Sequence, residues 1–267
     1  MISPRKLSVC AFASIFAFAV VSRAQEAAPG TINYVEGHVA LDSQSVAADT
    51  AGAAAVNPGH LLETAQGKAE VLLSPGVFLR VGENSSIKMK VASGDEVRVE
   101  LVRGEALVEV DQVDQARRLD VIDKGADARV DHSGLYLFNA NQPAVLVYNG
   151  RVRVEDDRRG LAIKQGEELL LNSSVPKTQK LDRNATNALY SWNLQRADYA
   201  AQVSEWTVEA LLSLDAGAQY TAGWYWNPWY HSWAFVLPKG RAVSPLGYGY
   251  YAPSAMQSLA PVFGDFR

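Results

Sequence analysis

Few residues of this 267-residue chain are typed and spaced for bond-making chemistry. The four histidines, His38, His60, His132 and His231, are scattered, and none sits with a second ligand at metal spacing. Asp131-His132-Ser133 sets an acid, a base and a nucleophile side by side. Adjacent side chains on a strand point to opposite faces, so this order predicts no triad. Asp123, Asp127 and Asp131 recur evenly but lack a calcium-loop pattern, and they read as a solvated edge. No Gly-Lys-Ser/Thr phosphate loop, Gly-x-Ser-x-Gly elbow or dinucleotide fingerprint occurs. No catalytic residue, metal site or cofactor is therefore expected. A carboxylate-based hydrolase stays open, because its Asp/Glu pair need not be close in sequence.

Aromatic chemistry is what the sequence does concentrate. Trp224-Tyr225-Trp226-Asn227-Pro228-Trp229-Tyr230-His231-Ser232-Trp233-Ala234-Phe235 is almost continuous rings, and charge is nearly missing from Tyr220 to Leu237. Each ring offers an apolar face and most a polar edge. Trp224, Tyr225, Trp226, Trp229, Tyr230 and Trp233 are therefore the expected binding residues, with a protein partner or a sugar as ligand. The competing expectation is that the rings fold back onto the rest of the protein or order only with a partner. Pro238, Gly240, Pro245, Gly247, Gly249 and Pro253 break up the chain beyond the rings, so 217–267 reads as an irregular aromatic, Gly/Pro-rich tail.

The elements that must carry this tail come before it. Residues 30–172 read as strands. Glu96-Val97-Arg98-Val99-Glu100-Leu101 and Leu107-Val108-Glu109-Val110 alternate polar and apolar, which predicts one buried and one wet face. Val145-Leu146-Val147-Tyr148 and Arg151-Val152-Arg153-Val154 flank Asn149-Gly150, a two-residue hairpin signal. Asp42 to Pro58 is rich in Ala, Ser and Gly and reads as an exposed loop. A loose apolar-x-Gly-x-apolar repeat places Gly37, Gly104, Gly150 and Gly166 where one strand turns into the next. Gly76 marks a further tight turn. This pattern fits repeated hairpins and a short twisted solenoid equally well. Residues 181–214 read as helix, with Asp182 as N-cap and Ala185, Leu189, Trp192, Arg196, Tyr199 and Val203 at three- and four-residue steps. Trp206, Ala210 and Leu214 extend it as a second segment. The fold class is mainly β: a twisted two-sheet, solenoid-like or sandwich module, then a helical segment and the tail.

The N-terminus sets the address. Pro4, Arg5 and Lys6 precede an apolar run from Leu7 to Val21, and Ser22-Arg23-Ala24 puts small residues at the positions signal peptidase reads. Residues 1–24 are expected to be a cleaved signal peptide, since the run is shorter than the ~20 residues a span needs. Cleavage would remove Cys10, the single cysteine. It would also remove Arg5, Lys6 and Arg23, leaving 22 basic residues against 29 acidic, a formal charge of −7. That balance argues against a nucleic-acid partner and suits solubility outside the cytoplasm.

The strand region resembles a FecR-type domain. The resemblance rests on Gly59-His60-Leu61-Leu62-Glu63-Thr64, the run Ala69 to Val81 through Pro75-Gly76, Leu101-Val102-Arg103-Gly104-Glu105-Ala106, and Val147-Tyr148-Asn149-Gly150-Arg151-Val152-Arg153-Val154. Gln165-Gly166-Glu167 is similar to the family's closing turn. Ser244 to Tyr251 resembles a recurrent tail of secreted bacterial FecR-type proteins. The resemblance implies a twisted all-β domain outside the inner membrane that senses or contacts other proteins. In the regulator that names the family, a cytoplasmic segment and one membrane helix precede this domain. A cleavable signal stands there in this sequence, so only the extracytoplasmic binding role carries over. The expectation is a non-enzymatic scaffold, periplasmic or at the cell surface, with no transmembrane span after cleavage, contacting an envelope or surface protein. The alternative is a carbohydrate-binding module using the tail tryptophans on a glycan.

Overall fold

The structure, a computed structural model, describes residues 27–112, 117–155, 160–173, 176–182, 187–214 and 220–263, with side chains placed to 258. The expected signal peptide, 1–24, lies outside the described residues, as does Ala185. The strands are β1 (Thr31–Leu41), β2 (Gln44–Ser45), β3 (Leu61–Ser74), β4 (Val77–Val81), β5 (Ser86–Ala92), β6 (Glu96–Arg103), β7 (Glu105–Val110), β8 (Arg118–Asp123), β9 (Ala126–Arg129), β10 (Gly134–Asn139), β11 (Ala144–Asn149), β12 (Arg151–Glu155), β13 (Gly160–Lys164), β14 (Glu167–Leu170) and β15 (Thr178–Lys180). Helix α1 (Ala188–Leu214) comes next, then β16 (Gly223–Asn227), β17 (Ser232–Val236), β18 (Arg241–Val243), β19 (Gly249–Tyr251) and α2 (Pro253–Phe263).

The protein is mainly β. Its first fifteen strands join one sheet in the order β13-β12-β9-β8-β6-β5-β3-β4-β7-β10-β11-β14-β15, with β1 attached to β3 and β2 to β1. The ladders are antiparallel except β6–β8, which is parallel. The 14-residue β3 belongs to both halves of this sheet. Its start, Leu61–Glu63, pairs with β5, and its end, Ala69–Ser74, pairs with β4. The sheet therefore folds over on itself and nearly closes. Val97, Val99, Val121, Val152 and Ile163 from one half meet Leu79, Val108, Tyr136, Phe138 and Val147 from the other in one core. Period-two alternation supplies this inner face.

The turn glycines resolve the choice between hairpins and solenoid. Gly37, Gly76, Gly104, Gly150 and Gly166 have φ of +65°, +77°, +79°, +82° and +79°. Only Gly76 closes a hairpin, between β3 and β4, and Gly37, expected at a strand end, is instead at a bulge inside β1, opposite Gly67 of β3. The Asn149-Gly150 hairpin does not form: β11 pairs with β10 and β14, while β12 pairs with β9 and β13. A type I′ turn needs positive φ at both central residues, and here only Gly150 has it. The chain instead makes an arch from one half of the sheet to the other, as it does at Gly104 and Gly166. A Cβ on Gly150 would stand 2.4 Å from the Ser133 carbonyl oxygen and 2.5 Å from the Tyr136 hydroxyl. Backbone approach, not turn chirality alone, requires glycine at this corner.

The expected wet face is also corrected on one half. In β4 every residue is buried, and in β7 only Glu105 is partly open. Helix α1 and the C-terminal segment cover that surface. Helix α1 runs unbroken for 27 residues. Its N-cap is Asn187 rather than Asp182, because the Asn187 Oδ1 accepts the Tyr190 backbone N–H at 2.8 Å. Leu189 and Trp192 pack on Leu107, Leu135 and Leu137, as their spacing predicts. The segment after α1 is more regular than its Gly/Pro content implies, with two hairpins and a helix. The 42–58 loop is also anchored: Val46 and Val56 are buried in the β core, and the Gly52 carbonyl accepts the Trp233 indole N–H at 2.9 Å.

Candidate functional site

The β16–β17 hairpin lies between α1 and the outer face of the sheet. The two-residue period of its strands puts Trp224, Trp226, Trp233 and Phe235 on one face and Tyr225 on the other, and the turn end of the hairpin reaches the surface. Trp224 packs edge-on against Phe78 at 5.2 Å and Phe235 at 5.8 Å, and is 1% exposed. Tyr225 turns the other way into Val208, Leu211 and Val236 of the helix side. Trp233 is held by Gly52. These three rings are buried, and they build the core of the layer. Trp226, Trp229 and Tyr230 stay at the surface, with Trp229 66% exposed.

This surface set is fixed in place. Asn227, buried at the turn, donates to Thr207 Oγ1 at 2.9 Å and accepts the Trp229 backbone N–H at 3.1 Å. Tyr230 stacks on Trp206 of α1, centroids 4.4 Å apart and planes at 19°. Trp226 lies over Gly52, where a Cβ would come within 2.3 Å of the ring, and edge-on to Trp233 at 5.5 Å. The result is an aromatic ridge of Trp226, Trp229, Tyr230 and Trp206. The sequence marks Trp206 only as a helical position. Its i+3/i+4 spacing does not show that the hairpin turn comes to it.

Beneath the hairpins lies a layer of charge that sequence reasoning missed. Glu70 and Arg80 are cross-strand partners of β3 and β4. Glu109 is diagonal to Arg80, which sits opposite Leu107. All three are fully buried. Glu70 accepts from Arg80 Nε at 2.9 Å, from Arg196 of α1 at 2.9 Å and from Asn33 of β1 at 2.9 Å. Arg80 also donates to Glu109 and to Asn193 of α1. Asn33 Oδ1 accepts the Trp233 backbone N–H at 2.8 Å, which ties the hairpin to the same group. Burial pushes the Glu70 carboxyl up, but Arg196 and Arg80 outweigh it and hold it at about 2. The opposite holds at Asp111, just past the end of β7. Burial, then the Glu109 charge, push Asp111 well above the usual carboxylate range. The Tyr250 hydroxyl and Arg80 pull it back without outweighing burial, and neither Asp111 oxygen has a well-formed hydrogen bond. Val77-Phe78-Leu79-Arg80-Val81 has the near-continuous apolar character of a strand covered on both faces, a signal for the cover but not for the charges beneath it.

The remaining sequence candidates do not assemble. Asp131 contacts His132, contrary to the strand argument, because Asp131 to Ser133 precede β10 rather than form a strand. His132 lines an open cleft of about 730 Å³ at the Gly150 corner with Ser133, Arg151, Lys164 and Gln165. Asp127 pairs with Arg98 at 3.1 Å. Asp123 is not on a solvated edge: it is 1% exposed, without a hydrogen-bond donor, and burial pushes it up to about 6. Among the described residues no group of three or more His, Cys, Asp or Glu is placed to hold a metal ion. No described helix is long and apolar enough to cross a membrane.

Residues 60–153, from the start of β3 into β12, match the family described as FecR protein, so the folded sheet carries a FecR domain. No curated protein matches the chain in sequence. Two crystal structures of a candidate anti-sigma factor from Parabacteroides distasonis ATCC 8503 are similar in part. One aligns with a TM-score of 0.40 and 19% identity over 46% of this chain and 60% of that protein. The other aligns with a TM-score of 0.39 and 20% identity over 45% and 58%. The chain thus spans about three fifths of the length of the structures it matches.

Proposed function

We propose that this FecR-domain protein is a non-enzymatic binding and scaffold protein that works outside the cytoplasm in a regulatory or signalling role. The observation that carries this reading is the ridge of Trp226, Trp229, Tyr230 and Trp206. A hairpin turn fixed by the buried Asn227 holds large rings in water, where folding gains little from them. Aromatic residues that are rigid before binding lose little side-chain entropy on contact, and such residues dominate protein interfaces. The FecR domain supplies the stiff platform, and protein contacts are the role its family implies. Export rests on Arg5, Lys6, the Leu7–Val21 run and Ser22-Arg23-Ala24.

A photo-crosslinker at position 229 tests the contact in the native envelope. We expect one discrete protein adduct, lost in Trp226→Ala/Tyr230→Ala and not formed from position 209 on α1. Equal labelling from both positions overturns the reading. Export predicts that the mature protein begins at Gln25 by intact mass. Recovery of the uncleaved chain from the cytoplasm overturns that half. The exposed indole of Trp229 keeps a sugar as second reading, because a flat, accessible ring is what a pyranose stacks upon. A glycan that shifts tryptophan emission in the wild type but not in Trp229→Ala would favour it over the protein partner.

A further inference from the structure

The charged layer holds two guanidiniums, Arg80 and Arg196, and three carboxyls, Glu70, Glu109 and Asp111, all at least nine-tenths buried. Four of these groups neutralise each other through the contacts of Glu70 and Glu109. The fifth, Asp111, has no cation left and stands beside Glu109 with Tyr250 of β19 above it. A second buried anion at this place is costly unless it takes up a proton. Asp111 is also at the joint of the C-terminal layer. Its backbone N–H donates to the Gly76 carbonyl at 2.8 Å, and Gly76 is the floor on which the Phe235 ring rests, 3.0 Å from a Cβ placed there. Phe235 in turn meets Tyr250 edge-on at 5.4 Å.

We propose that the Asp111–Glu109 pair is a proton-operated latch that holds the β16–β19 layer on the FecR domain while the pair keeps its proton and loosens it when the proton leaves. The groups facing Asp111 are Glu109 on β7, Arg80 on β4 and Tyr250 on β19; Glu109 also faces Glu70 on β3 and Tyr248 just before β19, with Arg196 of α1 beyond Glu70. Strand β17 and the described side chains of α2 contribute no titratable group. None of the four histidines faces Asp111, but His231 is on the β16–β17 turn, edge-on to Trp226 at 6.4 Å, so the titration is read in a His231→Gln background as well as in the wild type. The sign follows from the raised affinity of the attached state for its proton. A solvated Asp111 ionises near pH 4, so attachment is complete in acid and weakens about tenfold per pH unit above that, until Asp111 ionises in place. The two carboxyls titrate as a pair, so the midpoint belongs to both.

All six tryptophans lie on α1 or the β16–β17 hairpin, so their emission reports the elements that cover the sheet, four of the six being in the hairpin itself. The full chain is titrated from about pH 5 to about pH 9. Hydrogen exchange, corrected for intrinsic rates, is followed in 223–252 and, as reference, in 144–155 of the FecR sheet. We expect a red shift in emission and faster exchange in the first segment as pH rises, with the second unchanged. Asp111→Asn should flatten both profiles. Glu109→Gln, which leaves two carboxylates for two guanidiniums, should do the same and serves if the first variant does not fold. A wild-type profile that is flat, or variants that titrate like the wild type, overturn the latch.

Discussion

Glu70 on β3 and Arg196 on α1 meet at 2.9 Å in a layer where the carboxylate is fully buried and the guanidinium nearly so. This contact joins residues 126 positions apart and fixes the helix axially on the sheet. Leu189 and Trp192 give the helix adhesion, but apolar contact tolerates sliding. A carboxylate shared by two guanidiniums does not. Arg196→Met removes one partner and leaves a buried charge under-compensated, at a cost of about 3 kcal/mol. Urea unfolding of the two proteins measures it. A loss below about 1 kcal/mol would mean that Arg80 alone satisfies Glu70.

The same pair sets the acid limit of stability. Glu70 in the folded protein is held at about 2, below its ordinary 4.5. Its contribution is therefore complete above pH 4.5 and is lost as pH falls from there toward 2. Glu70→Gln should unfold more readily than the wild type at neutral pH, and the two should converge in strong acid. Thermal melts at several pH values read this directly. Parallel curves would assign the acid response to another carboxylate.

The ridge and the packed rings should respond in opposite ways to the same substitution. Trp224→Ala empties the centre of the layer against Phe78 and Phe235 and should cost about 3–5 kcal/mol. Trp229→Ala removes a ring that is 66% exposed and should change stability by less than about 0.5 kcal/mol while abolishing the adduct formed from a photo-crosslinker placed instead at position 226. Similar losses of stability in both variants would place Trp229 in the packing rather than on a surface for binding.

Strand existence was legible in the sequence because one face of nearly every strand feeds a common core, and alternation records that. Strand pairing was not. Asn149-Gly150 carries a hairpin signal, yet pairing depends on what Tyr136 and Ser133 place at that corner, and those residues are close only in the fold. The charged layer was hidden for a similar reason. Alternation marks Glu70, Arg80 and Glu109 as facing away from the core, but does not say that a helix more than eighty residues later covers them. The aromatic run was visible as a cluster. Its division into buried Trp224, Tyr225 and Trp233 and surface Trp226, Trp229 and Tyr230 follows from a hairpin its composition concealed.

The arch at Gly150 gives a test of the solenoid-like path. Its φ of +82° costs an L side chain roughly 1–2 kcal/mol, and a Cβ would meet the Ser133 carbonyl oxygen. Gly150→Ala should therefore lose more than the φ term alone, about 2–4 kcal/mol. Gly125 has the same φ, +82°, with open space around it. Gly125→Ala should show the φ cost only. Equal losses in the two melts would mean that the corner relaxes around the methyl group.

Asp123 offers the clearest gain. It shares a face of β8 with Leu119 and Val121, both core residues, and so points inward at the end of the strand. Neither oxygen has a donor, and burial pushes the carboxyl up to about 6 from 3.8, with only Lys124 pulling it back. A folded-state value above the unfolded one means that stability falls as pH rises from 3.8 to about 6 and stays reduced above. Asp123→Asn removes the charge with little change of shape. It should stabilise the protein by on the order of 2 kcal/mol at pH 7 and by nearly nothing below pH 4. The melting temperature of the two proteins at the two pH values checks both arms. A variant that is no more stable at neutral pH would show that water or Lys124 reaches the carboxylate in solution, and that the inner face of β8 ends at Val121.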